Sequence, residues 1–165
     1  AKNPSLENKE AVAHAVGVGA VIFHDLKNDR TNNFDFALEE VVQFEGETGP
    51  YVQYTHARAM SILRKANHTV DTKEAFSLTD DDAWEVLKLI ENYPNVVRFA
   101  EEKCEPSAIA KFVINLAQAF NKYYAHTKVL VEDEAFNSRI ALVQTTASIL
   151  KQGLALLGVA APDEM

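Results

Sequence analysis

Along this chain, apolar residues recur every three or four positions between short polar interruptions, the rhythm of amphipathic helices. Leu6, Ala11, Val12, Ala15 and Val16 form the first such stretch, and Asn3-Pro4 reads as its start, where the missing proline N–H does no harm. Gly17-Val18-Gly19 then either interrupts this helix or lets another backbone come close. Val21, Ile22, Phe23 and Leu26 restore the apolar face, a short segment runs from Phe34 to Phe44, and Gly46 to Pro50 is a break. From about Tyr51 to Ala66 the pattern predicts a helix with Val52, Ala59, Leu63 and Ala66 on one buried face. Tyr51, Tyr54, Arg58 and Lys65 lie along a neighbouring stripe, which is too polar to be all core.

Thr79-Asp80-Asp81-Asp82 reads as the next helix start, with Thr79 as cap and the acids at the positive end of the dipole. Trp84, Leu87, Leu89 and Ile90 supply its apolar side, Tyr93-Pro94 is expected to end it, and Val96 to Ala100 to form a further short helix. Pro106 opens a longer helix in which Ile109, Phe112, Val113, Leu116, Phe120, Tyr123 and Tyr124 repeat at helical steps. In the last helix, from about Ala135 to Leu157, one seam holds Ile140, Val143, Ala147, Leu150, Leu154 and Leu157. Leu142, Ile149 and Leu156 form a second seam, which places this helix centrally in a bundle. No alternating run predicts a sheet, so the expected fold is an all-α helical bundle.

Composition is ordinary for a globular protein, with 47% hydrophobic and 24% charged residues. No apolar run approaches the ~18 residues of a membrane span, and the start lacks the apolar stretch of a secretion signal. The single cysteine, Cys104, excludes an internal disulfide and a cysteine zinc site. These features point to the cytoplasm and to no membrane partner. A net charge of −8 argues against nucleic acid, because phosphate contacts need Lys and Arg. The distribution changes that picture. Residues 50–70 and 106–131 contain no acid, and between them hold Tyr51, Tyr54, Tyr123 and Tyr124 beside isolated bases. Such a pattern suits a stacking surface for unpaired bases; without a motif to single that out, two core helices that happen to lack acids are the simpler reading.

Catalytic chemistry has little to stand on. The five histidines show no spacing that puts two metal ligands on one helical turn. Gly17-Val18-Gly19 begins a dinucleotide fingerprint, but Ile22 stands where a third glycine belongs and no strand precedes it. Glu39-Glu40 and Asp80 to Asp82 read as solvated helix ends. Acids at 101, 102 and 105 oppose thiolate formation at Cys104.

The stretch Phe44-Glu45-Gly46-Glu47-Thr48-Gly49-Pro50-Tyr51-Val52-Gln53-Tyr54-Thr55-His56-Ala57-Arg58 resembles a signature of arginyl-tRNA synthetases, at the passage from the catalytic to the helical anticodon-binding domain. Val16 to Arg30 resembles the segment after that family's catalytic core, and Ser138 to Met165 its C-terminal helix and closing Ala-Pro-x-x-Met. The resemblance implies a helical bundle of the class I synthetase anticodon-binding type over 46–165, with 1–45 matching the end of the catalytic domain. The His-x-Gly-His-type and Lys-Met-Ser-Lys-Ser-type activation motifs do not occur. By resemblance the chain is therefore the C-terminal portion of a ligase that joins L-arginine to its tRNA with ATP and magnesium. Alone, this portion would need no cofactor and be inactive. Its partners would be the anticodon loop of an arginine tRNA and the parent catalytic domain in cis. Carried over from the motif, Tyr51, Tyr54 and Arg58 would face the anticodon loop with Glu47 just before the helix, completed by Tyr123 or Tyr124 and Met165. Without the catalytic domain, Val18, Val21 and Phe23 would be exposed. The alternative is a helical protein-interaction domain with no RNA role, which the net charge favours.

Overall fold

Thr48 and Pro50 fix where the helix after the glycine break begins. The Thr48 hydroxyl accepts the Tyr51 N–H at 3.2 Å, and Pro50 sits in the first turn, where no N–H is missed. The computed structural model describes residues 6, 8–74 and 76–165, and the helix start read at Asn3-Pro4 lies outside them. Six helices run through the described residues: α1 (Lys9–Lys27), α2 (Leu38–Val41), α3 (Gly49–Ala66), α4 (Asp81–Lys103), α5 (Ser107–His126) and α6 (Phe136–Leu156). No strand occurs among the described residues, so the fold is all-α as the periodicity predicts.

Helix α6 is central because two of its sides are apolar. Ile140, Val143, Ala147, Leu150, Leu154 and Leu157 are buried on one seam, Leu142 and Ile149 on the other, and α3, α4 and α5 all pack against it. Leu156, expected on the second seam, is exposed instead: it stands beside the turn between α4 and α5, where those helices end. A Cβ on Gly153 would overlap the Val113 side chain, so this glycine sets how closely α5 and α6 approach.

Helix α1 does not break at Gly17-Val18-Gly19, and a close approach is what the glycines permit. A Cβ on Gly49 would lie 2.8 Å from Phe23 Cβ and 3.0 Å from the Gly19 carbonyl, so α1 meets the start of α3 almost backbone to backbone. Phe23 is consequently fully buried, against expectation, while Val18 and Val21 are exposed as read from the sequence. Phe34, Phe36, Leu38, Val42 and Phe44 are exposed too. The buried Gln53 amide donates to Ala15 O at 3.2 Å and Ala160 O at 2.8 Å, joining α1, α3 and the segment after α6.

Helix α4 departs from the sequence reading in three ways. Asp80 rather than Thr79 is its cap, accepting the Ala83 N–H at 2.8 Å. Trp84 faces solvent, because Ala83 and Val86 take the inward positions. The helix also runs unbroken through Pro94 to Lys103, with no separate helix at 96–100. An interior proline costs about 3 kcal/mol, but Leu87, Ile90, Tyr93, Val97 and Ala100 pack against the core on both sides of it. Tyr93 stacks on Phe112 of α5 with centroids 5.3 Å apart. Burial of several large side chains, each contributing ~1.5–3 kcal/mol when complete, outweighs one lost hydrogen bond.

Candidate nucleic-acid interface

Arg58 lies on α3 one turn beyond Tyr54, and α5 brings Tyr124 alongside from the other acid-free window. Its guanidinium carbon sits 5.0 Å from the Tyr54 ring centroid and 5.6 Å from that of Tyr124, so the cation lies against two aromatic faces. Arg58 Nη1 donates to Asn121 Oδ1 at 2.5 Å. The Asn121 amide in turn donates to Tyr51 Oη at 3.0 Å and Thr55 Oγ1 at 2.9 Å. One asparagine on α5 thereby fixes the orientation of the arginine from α3.

Arg58, Tyr54 and Tyr124 line an open cleft of about 450 Å³, together with Arg64, Lys65, Ser61, Leu130, Glu164 and Met165. Leu130 arrives on the loop before α6, which Arg139 clamps by donating to Val129 O, Val131 O and Asp133 Oδ1. Glu164 is the acid in the lining, and it pairs with Arg64 at 3.3 Å. The cleft wall is therefore cationic and aromatic although the chain is acidic overall.

The structure brings together Tyr54, Arg58, Tyr124 and Met165 among the residues singled out from the sequence. Tyr51 stands behind them, half-buried, its hydroxyl accepting from Asn121. Glu47 lies in the exposed turn before α3, where its carbonyl accepts from Lys27 Nζ at 3.1 Å, and does not line the cleft. Tyr123 is corrected outright: it is fully buried in the core on the Phe112, Leu116 and Phe120 side of α5. Burial pushes its phenol well above the usual tyrosine range. Asn121, Arg64 and Lys65 were not read as site residues. The two bases had a signal, as cations in an acid-free window with Lys65 on the polar stripe, whereas Asn121, uncharged in the other window, had only its place three residues before Tyr124.

Met165 reaches the cleft because the segment after α6 is fastened to α3. His56 is buried, with Nδ1 3.1 Å from Ala147 O and Nε2 3.1 Å from Asp163 Oδ1. Arg64 Nη1 donates to Asp163 O at 3.2 Å, and Lys151 Nζ is 3.5 Å from Asp163 Oδ1. The hydrogen bond from His56, and then the nearby Lys151 charge, hold the Asp163 carboxyl below the usual carboxylate range against a partial desolvation that raises it. A depressed carboxylate pKa contributes stability above the unfolded value, about 3.9, and loses it as pH falls through the lower folded value. The difference in melting temperature between the chain and Asp163→Ala is expected to be full above about pH 4 and to close below it. Since the carboxylate is half exposed, it should amount to under about 1 kcal/mol. A difference that stays constant down to pH 2 would show that Asp163 stabilises the fold by something other than its charge.

No helix among the described residues is long and apolar enough to cross a membrane. No group of three or more His, Cys, Asp or Glu able to hold a metal occurs among them. Residues 52–165 match the DALR anticodon binding domain family. An arginine–tRNA ligase of Enterococcus faecalis is 65% identical over 164 residues, covering 99% of this chain and 29% of the relative. One from Streptococcus thermophilus is 59% identical over 165 residues, again covering 29% of the relative. Thermus thermophilus arginyl-tRNA synthetase superposes on 99% of the chain with a TM-score of 0.92 and 36% identity, the match spanning 29% of that structure. An arginyl-tRNA synthetase from Plasmodium falciparum matches 94% of the chain with a TM-score of 0.87 and 26% identity, over 28% of that structure. The chain thus spans under a third of the length of the curated relatives it matches.

Proposed function

Because the chain belongs to the DALR anticodon binding domain family, we propose that it is the tRNA-reading portion of an arginine–tRNA ligase and takes the anticodon loop of an arginine tRNA. The observation that carries this reading is the Arg58 guanidinium held against the Tyr54 and Tyr124 rings in a cleft that also presents Arg64 and Lys65. Anticodon bases are unpaired, so they can be splayed out and stacked on aromatic rings or on an arginine plane. Arg64 and Lys65, both in the lining, would meet the loop's phosphates, which fix register without carrying sequence information. Met165, also in the lining, gives an apolar contact to a base face. Tyr51 and Asn121 serve from behind, by holding Arg58.

The parent protein would attach L-arginine to that tRNA in the cytoplasm, with ATP and magnesium bound by the part of the ligase outside this chain. Residues 1–45 would be the end of its catalytic domain, and 46–165 the anticodon-binding bundle. The exposed Val18, Val21, Phe34 and Phe36 are then the surface on which the rest of the catalytic domain rests in cis.

Filter binding with an unmodified arginine-tRNA transcript tests the reading. Retention is expected at low salt, falling as salt rises because phosphate contacts release counterions. It should be lost for a transcript whose anticodon loop is replaced. Equal retention of the altered transcript, or none at low salt, would favour the helical protein-interaction reading instead.

A further inference from the structure

The segment that follows α6 contributes Glu164 and Met165 to the lining of the cleft, and its contacts with the helices hold it there. Val159 is buried against the Gly19 side of α1, and Ala160 O accepts the buried Gln53 amide at 2.8 Å. Ala161 packs against the core as well, and beyond it Asp163 and Glu164 carry the polar attachment to α3.

We infer that His56 and Asp163 form a latch that positions Met165 in the cleft, so that both residues govern RNA binding without touching RNA. His56 is 1% exposed, and both of its ring nitrogens face oxygen acceptors: Ala147 O on α6 and Asp163 Oδ1 on the terminal segment. A buried ring nitrogen without a partner is costly, so the ring calls for a hydrogen-bonding group at the position Asp163 fills. The same residue is held through its carbonyl by Arg64, while Glu164 pairs with the Arg64 guanidinium. Arg64 is thereby shared between latch and cleft wall, and Met165, two residues past Asp163, enters the lining beside Arg58. The latch draws on α3, α6 and the terminal segment, and none of its bonds requires the RNA to be present.

This inference rests on the anticodon-reading proposal only for its RNA arm. With methyl-labelled methionine, the Met165 signal of the 165-residue chain is expected at a dispersed position, moving towards that of a mobile chain in Asp163→Ala. Asp163→Asn, whose amide can pair with His56 Nε2 whichever tautomer the ring adopts, should restore most of the dispersed signal. Helical circular dichroism should be unchanged in both variants, since Asp163 lies outside the helices and is half exposed. Binding to an arginine-tRNA transcript should weaken about three- to tenfold in Asp163→Ala, the net scale of one ordinary hydrogen bond. The loss should largely disappear when measured in a Met165→Ala background, because the latch acts through that side chain. An unmoved Met165 signal in Asp163→Ala, or a binding loss that simply adds to that of Met165→Ala, overturns the latch. Arg58→Ala is the separate control: unaltered binding in that variant alone removes the RNA reading, while the Met165 signal still decides the latch.

Discussion

Replacing Leu150 with alanine is expected to lower stability by ~2–5 kcal/mol, the cost of deleting a fully buried leucine and leaving a cavity. Leu150 has no exposed surface and lies on the α6 seam that faces the rest of the core. One turn further on, Gly153 already brings α6 as near to α5 as Val113 allows, so the helices cannot close much over the lost side chain. That places the expected cost in the upper half of the range. At roughly 2–4 °C per kcal/mol for a domain of this size, thermal or urea unfolding resolves it easily. A change under about 0.5 kcal/mol, the scale of a surface substitution, would mean that α6 is not the centre of the bundle.

Arg58 should produce the largest effect on RNA binding. Arg58→Ala removes the plane lying against Tyr54 and Tyr124 and leaves Asn121 Oδ1 without its donor. A stacked base contributes ~1–3 kcal/mol by alanine substitution, so tRNA affinity should fall roughly five- to 150-fold. Arg58→Lys distinguishes two roles. If Arg58 stacks on or reads a base, lysine should do almost as badly, since it lacks the planar fork. If it only neutralises a phosphate, lysine should largely substitute. Tyr54→Ala should weaken binding too while nearly preserving the melting temperature. A large loss of stability in Tyr54→Ala, with tRNA affinity intact in the folded fraction, would show that the aromatic stripe is packing rather than recognition.

The helical faces of α3, α5 and α6 were legible in the sequence because their apolar residues keep strict phase against neighbours on known sides. Pro94 misled for an instructive reason. A proline ordinarily ends a helix locally, yet Ile90, Tyr93, Val97 and Ala100 are in phase across it, and that phase was the better guide to where burial would win. Tyr123 and Tyr124 were not separable by pattern alone, since adjacent residues sit at the two edges of one apolar face. Only the position of α3 decides that the second of them meets Arg58. Asn121 was invisible for a related reason. An asparagine on a helix has no intrinsic meaning until the opposite helix supplies Tyr51, Thr55 and Arg58 as partners. The acid-free windows proved to be α3 and the stretch containing α5, and their juxtaposition is what turns a compositional oddity into a cationic cleft in an acidic protein.

The double seating of Arg58 also has an entropic consequence. A long cationic side chain that waves in solvent must be immobilised when it binds, at a cost of about 0.5–1.5 kcal/mol. Here two rings and one amide have already confined it before any ligand arrives. An incoming loop therefore meets a surface that has little freedom left to lose, and equally little capacity to remould itself around a loop of the wrong shape. Rigidity of this kind turns misfit directly into lost affinity, which is how a small cleft can discriminate without many contacts.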